Sequence, residues 1–205
     1  MADNTYQFIT HWRVDSTREE VYDLLRDAES LTRWWPSVYL SVRRVQTGDE
    51  GEAYDLHTKG WLPYTLTWRL RVDQIDRPRS FSLIAEGDFV GRGIWTFVQD
   101  GPAVDITYDW KIAAEKPLLR LFTPLLRPLF EANHRWAMER GLESLHLELA
   151  RRRATTDLER LAVPAPPAAI SSAAPLVAGG VLLAMGVVAW LALRGHRAPA
   201  PGNDD

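Results

Sequence analysis

The feature that most narrows the fold is a two-residue alternation of apolar and polar side chains. From 64 to 72, Tyr64, Leu66, Trp68, Leu70 and Val72 fall on one side, with Thr65, Thr67, Arg69 and Arg71 on the other. From 104 to 112 the split repeats, with Val104, Ile106, Tyr108, Trp110 and Ile112 set against Asp105, Thr107, Asp109 and Lys111. A period of two belongs to a strand with one buried and one wetted face, the usual state in an antiparallel sheet. Strand-like runs span residues 6–14, 38–45, 53–58, 64–75, 80–85, 90–98 and 104–112. Turn signals separate them, among them Thr47-Gly48-Asp49, Arg77-Pro78-Arg79 and Asp100-Gly101-Pro102. In the sixth run the phase is ambiguous. Phe89, Gly91, Gly93, Trp95 and Phe97 make one row, but Val90, Ile94 and Val98 are apolar too.

The helices stand at fixed places in this series. After the first strand, Ser16 or Thr17 is a natural N-cap, with Glu19 and Glu20 in the first turn and Val21, Leu24 and Leu25 behind. Residues 31–35 suit a second short helix that Pro36 stops. At the far end Met138, Leu142, Leu145 and Leu149 are spaced 4, 3 and 4, one face of a long helix. The order predicts an α+β fold in which seven antiparallel strands curl around the long C-terminal helix. Pro124 and Pro128 predict a break in the helical stretch before that helix, within residues 117–130, a piece suited to a lid.

Beyond Arg151-Arg152-Arg153 the composition changes. Residues 154–172 are first charged and then rich in Pro and Ala, and VPAPPAAISS suits an extended linker. Residues 173–193, AAPLVAGGVLLAMGVVAWLAL, carry no charge over 21 residues. As a helix at about 1.5 Å per residue they match a bilayer core of about 30 Å. The expected plan is therefore a domain at 1–153, a linker at 154–172, a transmembrane helix at 173–193 and a short polar tail at 194–205. With no apolar leader at the N-terminus, the domain is expected on the cytoplasmic side of the cell membrane as a single-pass protein. Arg194 and Arg197 beside the span pull against that orientation.

Three separated blocks carry a resemblance: WRVDSTREEVYDLLRDAESLTRWWPSV (12–38), GDFVGRGIWTF (87–97) and VDITYDWKIAAEKPLLRLFTPLLRPLFEANHRWAMERGLESL (104–145). In this order they resemble the Bet v 1/START-like (SRPBCC) superfamily, in particular its bacterial polyketide cyclase/dehydrase-like branch. The match covers about residues 6–150. It implies a helix-grip fold with a cavity between sheet and long helix, and hydrophobic ligands within it. Members include lipid carriers and aromatic-ring cyclases, and no shared catalytic motif carries over.

On that frame the expected ligand-binding residues are the inward rows, namely Tyr64, Leu66, Trp68 and Leu70, then Trp95 and Phe97, then Ile106, Tyr108 and Trp110. His134 and Met138 join them from the long helix. Nine Trp in 205 residues, eight of them before residue 140, fit a domain with an aromatic interior. Tyr54, Tyr64 and Tyr108 are polar handles for such a site.

Chemistry beyond binding has few carriers. The chain has no Cys, which excludes disulfides and thiolate chemistry. Its five His are scattered without metal-ligand spacing, so no metal and no cofactor is expected. Net charge is -3 and only Lys59, Lys111 and Lys116 are Lys, a poor surface for nucleic acid. His11 and His57 suit surface positions, and His134 is the candidate acid–base group. The expected function is binding or transfer of a hydrophobic, lipid-like or polyketide-like molecule at a membrane. The alternatives are a cyclase or dehydratase and a non-catalytic protein-interaction scaffold.

Overall fold

The computed structural model describes residues 5–46, 51–114 and 123–170. Strand β1 (Thr5–Asp15) leads into helix α1 (Arg18–Arg26), a 3-10 turn (Ala28–Ser30) and helix α2 (Leu31–Trp34). Six strands follow: β2 (Tyr39–Val45), β3 (Ala53–Lys59), β4 (Thr65–Asp76), β5 (Ser80–Gly87), β6 (Phe89–Asp100) and β7 (Ala103–Ala114). The long helix α3 (Thr123–Arg153) and the short α4 (Asp157–Ala162) complete the described chain. The seven strands form one antiparallel sheet in the order β1-β7-β6-β5-β4-β3-β2, so β1 pairs with β7 and every other strand with its neighbour in sequence. This is the expected helix-grip arrangement of sheet and long helix.

Local chemistry sets the boundaries. Thr17 is the N-cap of α1, its hydroxyl accepting from the Glu20 amide at 3.2 Å. This meets one of the donors that every helix start leaves unpaired. Inward rows read from alternation are buried: Trp68 and Leu70 on β4, Val104, Ile106, Tyr108 and Trp110 on β7. The ambiguous phase of β6 is settled, since Trp95 and Phe97 are buried while Val90 and Val98 are exposed. On α3, Met138, Leu145 and Leu149 are buried and Leu142 packs beside them.

Among the described residues no helix break falls at Pro128, because α3 runs unbroken from Thr123 with Pro128 inside it. Pro128 lies in the second turn, where its missing N–H forfeits a single bond close to the helix start. Residues 115–122, the rest of the expected lid, lie outside the described residues.

The membrane span is also corrected. Among the described residues no helix is long and apolar enough to cross a membrane. A span needs about 20 successive apolar residues; α3 has the length but carries charges from Arg127 to Arg153. Residues 173–193 themselves lie outside the described residues. The transmembrane helix, the single-pass location in the cell membrane and the cytoplasmic side of the domain are withdrawn together.

Beyond α3 the described chain continues in the same compact unit as the sheet and α3. The compact unit extends to Ile170. Within it, Arg151 donates to the Pro164 carbonyl at 2.8 Å and Lys59 Nζ to the Ile170 carbonyl at 2.7 Å. The Arg run after α3 is also engaged. Arg152 and Arg151 reach Glu148 at 2.9 and 3.4 Å, and Arg153 reaches Glu20 at 2.7 Å.

Candidate functional site

Between α3 and the sheet lies a cavity of about 170 Å³. Strand β4 and the residue before it supply Tyr64, Leu66 and Trp68, and β7 supplies Tyr108, Trp110 and Ile112. From α3 come Phe130, Asn133, His134, Ala137 and Met138, at helical spacings that keep them on one face. Strand β1 adds Tyr6 and Phe8, and the α2–β2 corner adds Trp35, Val38 and Tyr39. A second space of about 60 Å³ lies deeper and is lined by Leu70, Phe81, Leu83 and Trp95 among others. The two share Trp35, Tyr39, Trp68, Tyr108 and Met138 as a common wall.

An aromatic row forms the sheet side of both spaces. Trp95 stacks on Tyr108 with centroids 4.0 Å apart, Tyr108 on Trp110 at 5.7 Å, and Trp110 meets Trp68 at 6.0 Å. The register makes this possible, because Trp95 faces Tyr108 directly across β6 and β7. Stacked rings hold each other's rotamers, so the wall is stiff. Trp68 keeps its indole N–H satisfied on the Thr58 hydroxyl at 3.1 Å.

One edge of the cavity is pinned by Gly60 and Asn133. A Cβ on Gly60 would collide with the Asn133 carboxamide, so only glycine lets this loop approach α3 so closely. Asn133 Oδ1 accepts from the amides of Trp61 and Leu62 at 3.0 and 3.3 Å. These bonds fix the loop against α3 and hold Lys59 and Tyr64, on either side of it, at the cavity.

Polar groups gather at the outer end. The His134 ring stacks on Phe8 with centroids 4.5 Å apart, and its Nε2 lies 3.4 Å from Thr10 Oγ1. Burial without a nearby counter-charge lowers its pKa to about 4, so it is neutral near pH 7. Burial pushes the Tyr64 hydroxyl up to about 12, with Tyr6 adding to the rise. Tyr39 and Tyr108 are raised by burial as well. All four groups are therefore uncharged near neutral pH. The Tyr6 hydroxyl is buried and has no hydrogen-bond partner among the described residues.

Of the residues expected from sequence, Tyr64, Leu66, Trp68, Tyr108, Trp110, His134 and Met138 line the larger space. Leu70 and Trp95 line the deeper one. Phe97 and Ile106 line neither. Both are about 1% exposed and sit in the filled core, where Phe97 packs on Tyr22 and Phe81. Tyr54 is buried away from the cavity, and His57 lies beside an Asp55 that is instead paired with Arg43 and Arg69. His11 is exposed, and its Nδ1 meets the Thr107 hydroxyl at 3.2 Å. Sequence reasoning missed Tyr6, Phe8 and Asn133 as liners. Phe8 alternates with Trp12 and Val14 along β1, but only the β1–β7 register at the sheet edge brings it to α3. No group of three potential metal ligands occurs among the described residues.

Residues 10–150 match the family model described as polyketide cyclase / dehydrase and lipid transport. No match is found among curated proteins. Among solved structures the chain is similar to TTHA0849 from Thermus thermophilus. The TM-score there is 0.59 at 20% identity, covering 71% of this chain and 99% of that one. It is also similar to the Zhui aromatase/cyclase from Streptomyces sp. R1128, with a TM-score of 0.59 at 18% identity, covering 74% and 97%. A conserved protein from Geobacillus kaustophilus gives a TM-score of 0.54 at 14% identity, covering 71% and 96%. At these identities the likeness is one of fold.

Proposed function

We propose that this chain, which belongs to the polyketide cyclase / dehydrase and lipid transport family, binds a hydrophobic small molecule in the cavity under α3. The observation that carries the reading is a void of about 170 Å³ walled by aromatic side chains that have not closed over it. Protein interiors are packed nearly as densely as organic crystals, so an aromatic-walled space of this size left between packed elements is unusual. A ligand filling it gains roughly 25 cal/mol per Å² of apolar surface buried. The test is displacement of a naphthalene-type fluorescent probe from the purified full-length chain, with extraction of bound molecules for mass spectrometry. Micromolar probe binding is expected, and so is its loss in a folded Trp68→Glu variant. Unchanged affinity in that variant overturns the reading.

A second reading, cyclase or dehydratase chemistry, draws on His134 in the cavity and on the fold shared with an aromatase/cyclase. A general base works best with a pKa near the working pH. At about 4, the His134 imidazole is a weak proton acceptor. That magnitude favours binding over catalysis, with His134 a neutral hydrogen-bonding group. Turnover of a polyketide-type substrate that is lost in His134→Gln, with probe affinity retained, would reverse the order.

A further inference from the structure

We infer, resting on the reading that the cavity holds a small molecule, that its ligand is a compact, uncharged ring compound bearing one oxygen function. The oxygen lies at the Tyr6–Tyr64–His134 end, and the apolar body lies against Trp68, Tyr108 and Met138. Three observations converge on this.

Size comes first. The larger space is about 170 Å³ and the deeper one about 60 Å³. An apolar cavity of about 150 Å³ takes benzene, whereas sites for drug-sized ligands begin at about 300 Å³. One ring with short substituents fits inside, whereas most of a long acyl chain would lie outside the space. A small substituent can enter the deeper space past Met138, which lines both.

Polarity comes second, because the outer end adds Tyr6, Tyr64, Asn133 and His134 to the Trp35, Tyr39 and Tyr108 polar atoms that both spaces share. The deeper space is lined chiefly by Leu, Val, Phe and Trp, and its one charged residue, Arg26, is bonded to Glu52 at 2.5 Å. At the outer end Tyr6 is 3% exposed, and its buried hydroxyl lacks a partner among the described residues. A buried donor without a partner is costly, and a ligand oxygen at that point removes the cost. A ligand with its polar atom at this end gains from the arrangement; the Trp35 indole N–H, also buried without a partner among the described residues, belongs to the wall that both spaces share.

Charge comes third. Lys59 is the one cation among the described lining residues, and Asp88 the one carboxylate. It is 7% exposed, and its ammonium already donates to the Ile170 carbonyl at 2.7 Å. The remaining donors at that end, Tyr6, Tyr64 and a neutral His134, are uncharged. A carboxylate placed among them would lose its hydration while sharing the space with the Asp88 carboxylate and with a Lys59 that is already engaged, which is unfavourable. A hydroxyl or carbonyl oxygen meets no such cost.

The test uses the full-length chain at pH 7.5 and titration calorimetry with ethylbenzene, 4-ethylphenol and 4-ethylbenzoate. One well-placed hydrogen bond should make 4-ethylphenol bind about 10-fold tighter than ethylbenzene. The benzoate should bind more weakly than the phenol. Tyr6→Phe removes one buried oxygen and no packing. It should bring 4-ethylphenol to within about twofold of ethylbenzene when both are measured on the variant, since one lost hydrogen bond accounts for the whole preference. Equal affinity for phenol and hydrocarbon in the wild type overturns the inference, as does a preference that survives Tyr6→Phe. A benzoate that outcompetes the phenol, or palmitate that outcompetes both, overturns it too. If the naphthalene-type probe binds while these results fail, the cavity reading stands and only the ligand class falls. If nothing binds, both fall together.

Discussion

Between Phe130 and Met138, helix α3 faces an unfilled cavity, whereas between Leu145 and Leu149 the same stripe is fully buried. Each half carries a titratable group, half-buried in one and fully buried in the other. His134 stands without a nearby counter-charge, and burial alone lowers its pKa to about 4, leaving it neutral. Glu148 is 1% exposed, and burial works to raise its pKa. The hydrogen bonds from Arg33 and Arg152 outweigh that, so the carboxyl sits below its usual range and stays charged. Arg33 grips it with both Nη atoms at 2.8 Å, a two-pronged bond from α2 to α3. Gly141 stands between the two halves, where a Cβ would collide with the Trp35 ring, so α3 can press on that indole. The lesson is a division of labour along one helix. The C-terminal half anchors α3 by packing and ion pairs. The N-terminal half is thereby held over a space it does not fill.

The largest expected effect breaks the comparison directly. Leu145→Ala removes a fully buried side chain from the anchored half and should cost about 3–4 kcal/mol. Met138→Ala removes a side chain that already borders a void, so its cost should be nearer 1–2 kcal/mol, at the lower end for such truncations. Urea unfolding of both variants measures the difference. Equal losses would mean that the two halves are packed alike.

Next is Glu148→Gln, expected to cost about 2–3 kcal/mol at neutral pH. Breaking a buried ion pair costs about 3–5 kcal/mol, and exposure of the arginines reduces that. The sign with pH is fixed by the lowered pKa. The stabilisation is present above the ordinary glutamate value, about 4.3, and is lost as pH falls through the lower folded value. The variant's stability should therefore vary less with pH below about 4.3 than the wild type's does. A parallel acid profile in the two proteins would remove Glu148 as the anchor.

How much of this contrast was legible in the sequence depends on range. The packed half announced itself through the 4, 3, 4 spacing of Met138, Leu142, Leu145 and Leu149, because helical period and burial follow from neighbours a turn apart. The aromatic wall was legible for the same reason, with a period of two. Glu148 was not, since its partner Arg33 lies 115 residues away and nothing local marks a carboxylate as buried. Phe97 and Ile106 were read as lining because alternation tells inside from outside, and cannot tell a filled interior from an empty one. The expected break at Pro128 overweighted a local rule that costs one hydrogen bond near a helix start.

The smallest expected effect sharpens the other half of the comparison. His134 has an ordinary pKa near 6.5 in the unfolded chain and about 4 in the folded one. Between those values the unfolded state holds the proton that the folded state refuses, so lowering the pH draws the equilibrium toward unfolding. The stability His134 permits is thus fully present above about pH 6.5 and declines as pH falls toward 4. At pH 5 the loss relative to pH 8 should be at most about 2 kcal/mol, and less if water reaches the ring. His134→Gln, which cannot titrate, should lack this decline while matching the wild type to within about 1 kcal/mol at pH 8. Glu148 does not blur the result, because its contribution falls away only below about pH 4.3. Urea unfolding at pH 5, 6 and 8 reads the difference. A wild-type decline that persists unchanged in His134→Gln would place the titrating group elsewhere. The cavity end of α3 would then owe its lack of charge to something other than burial of this imidazole.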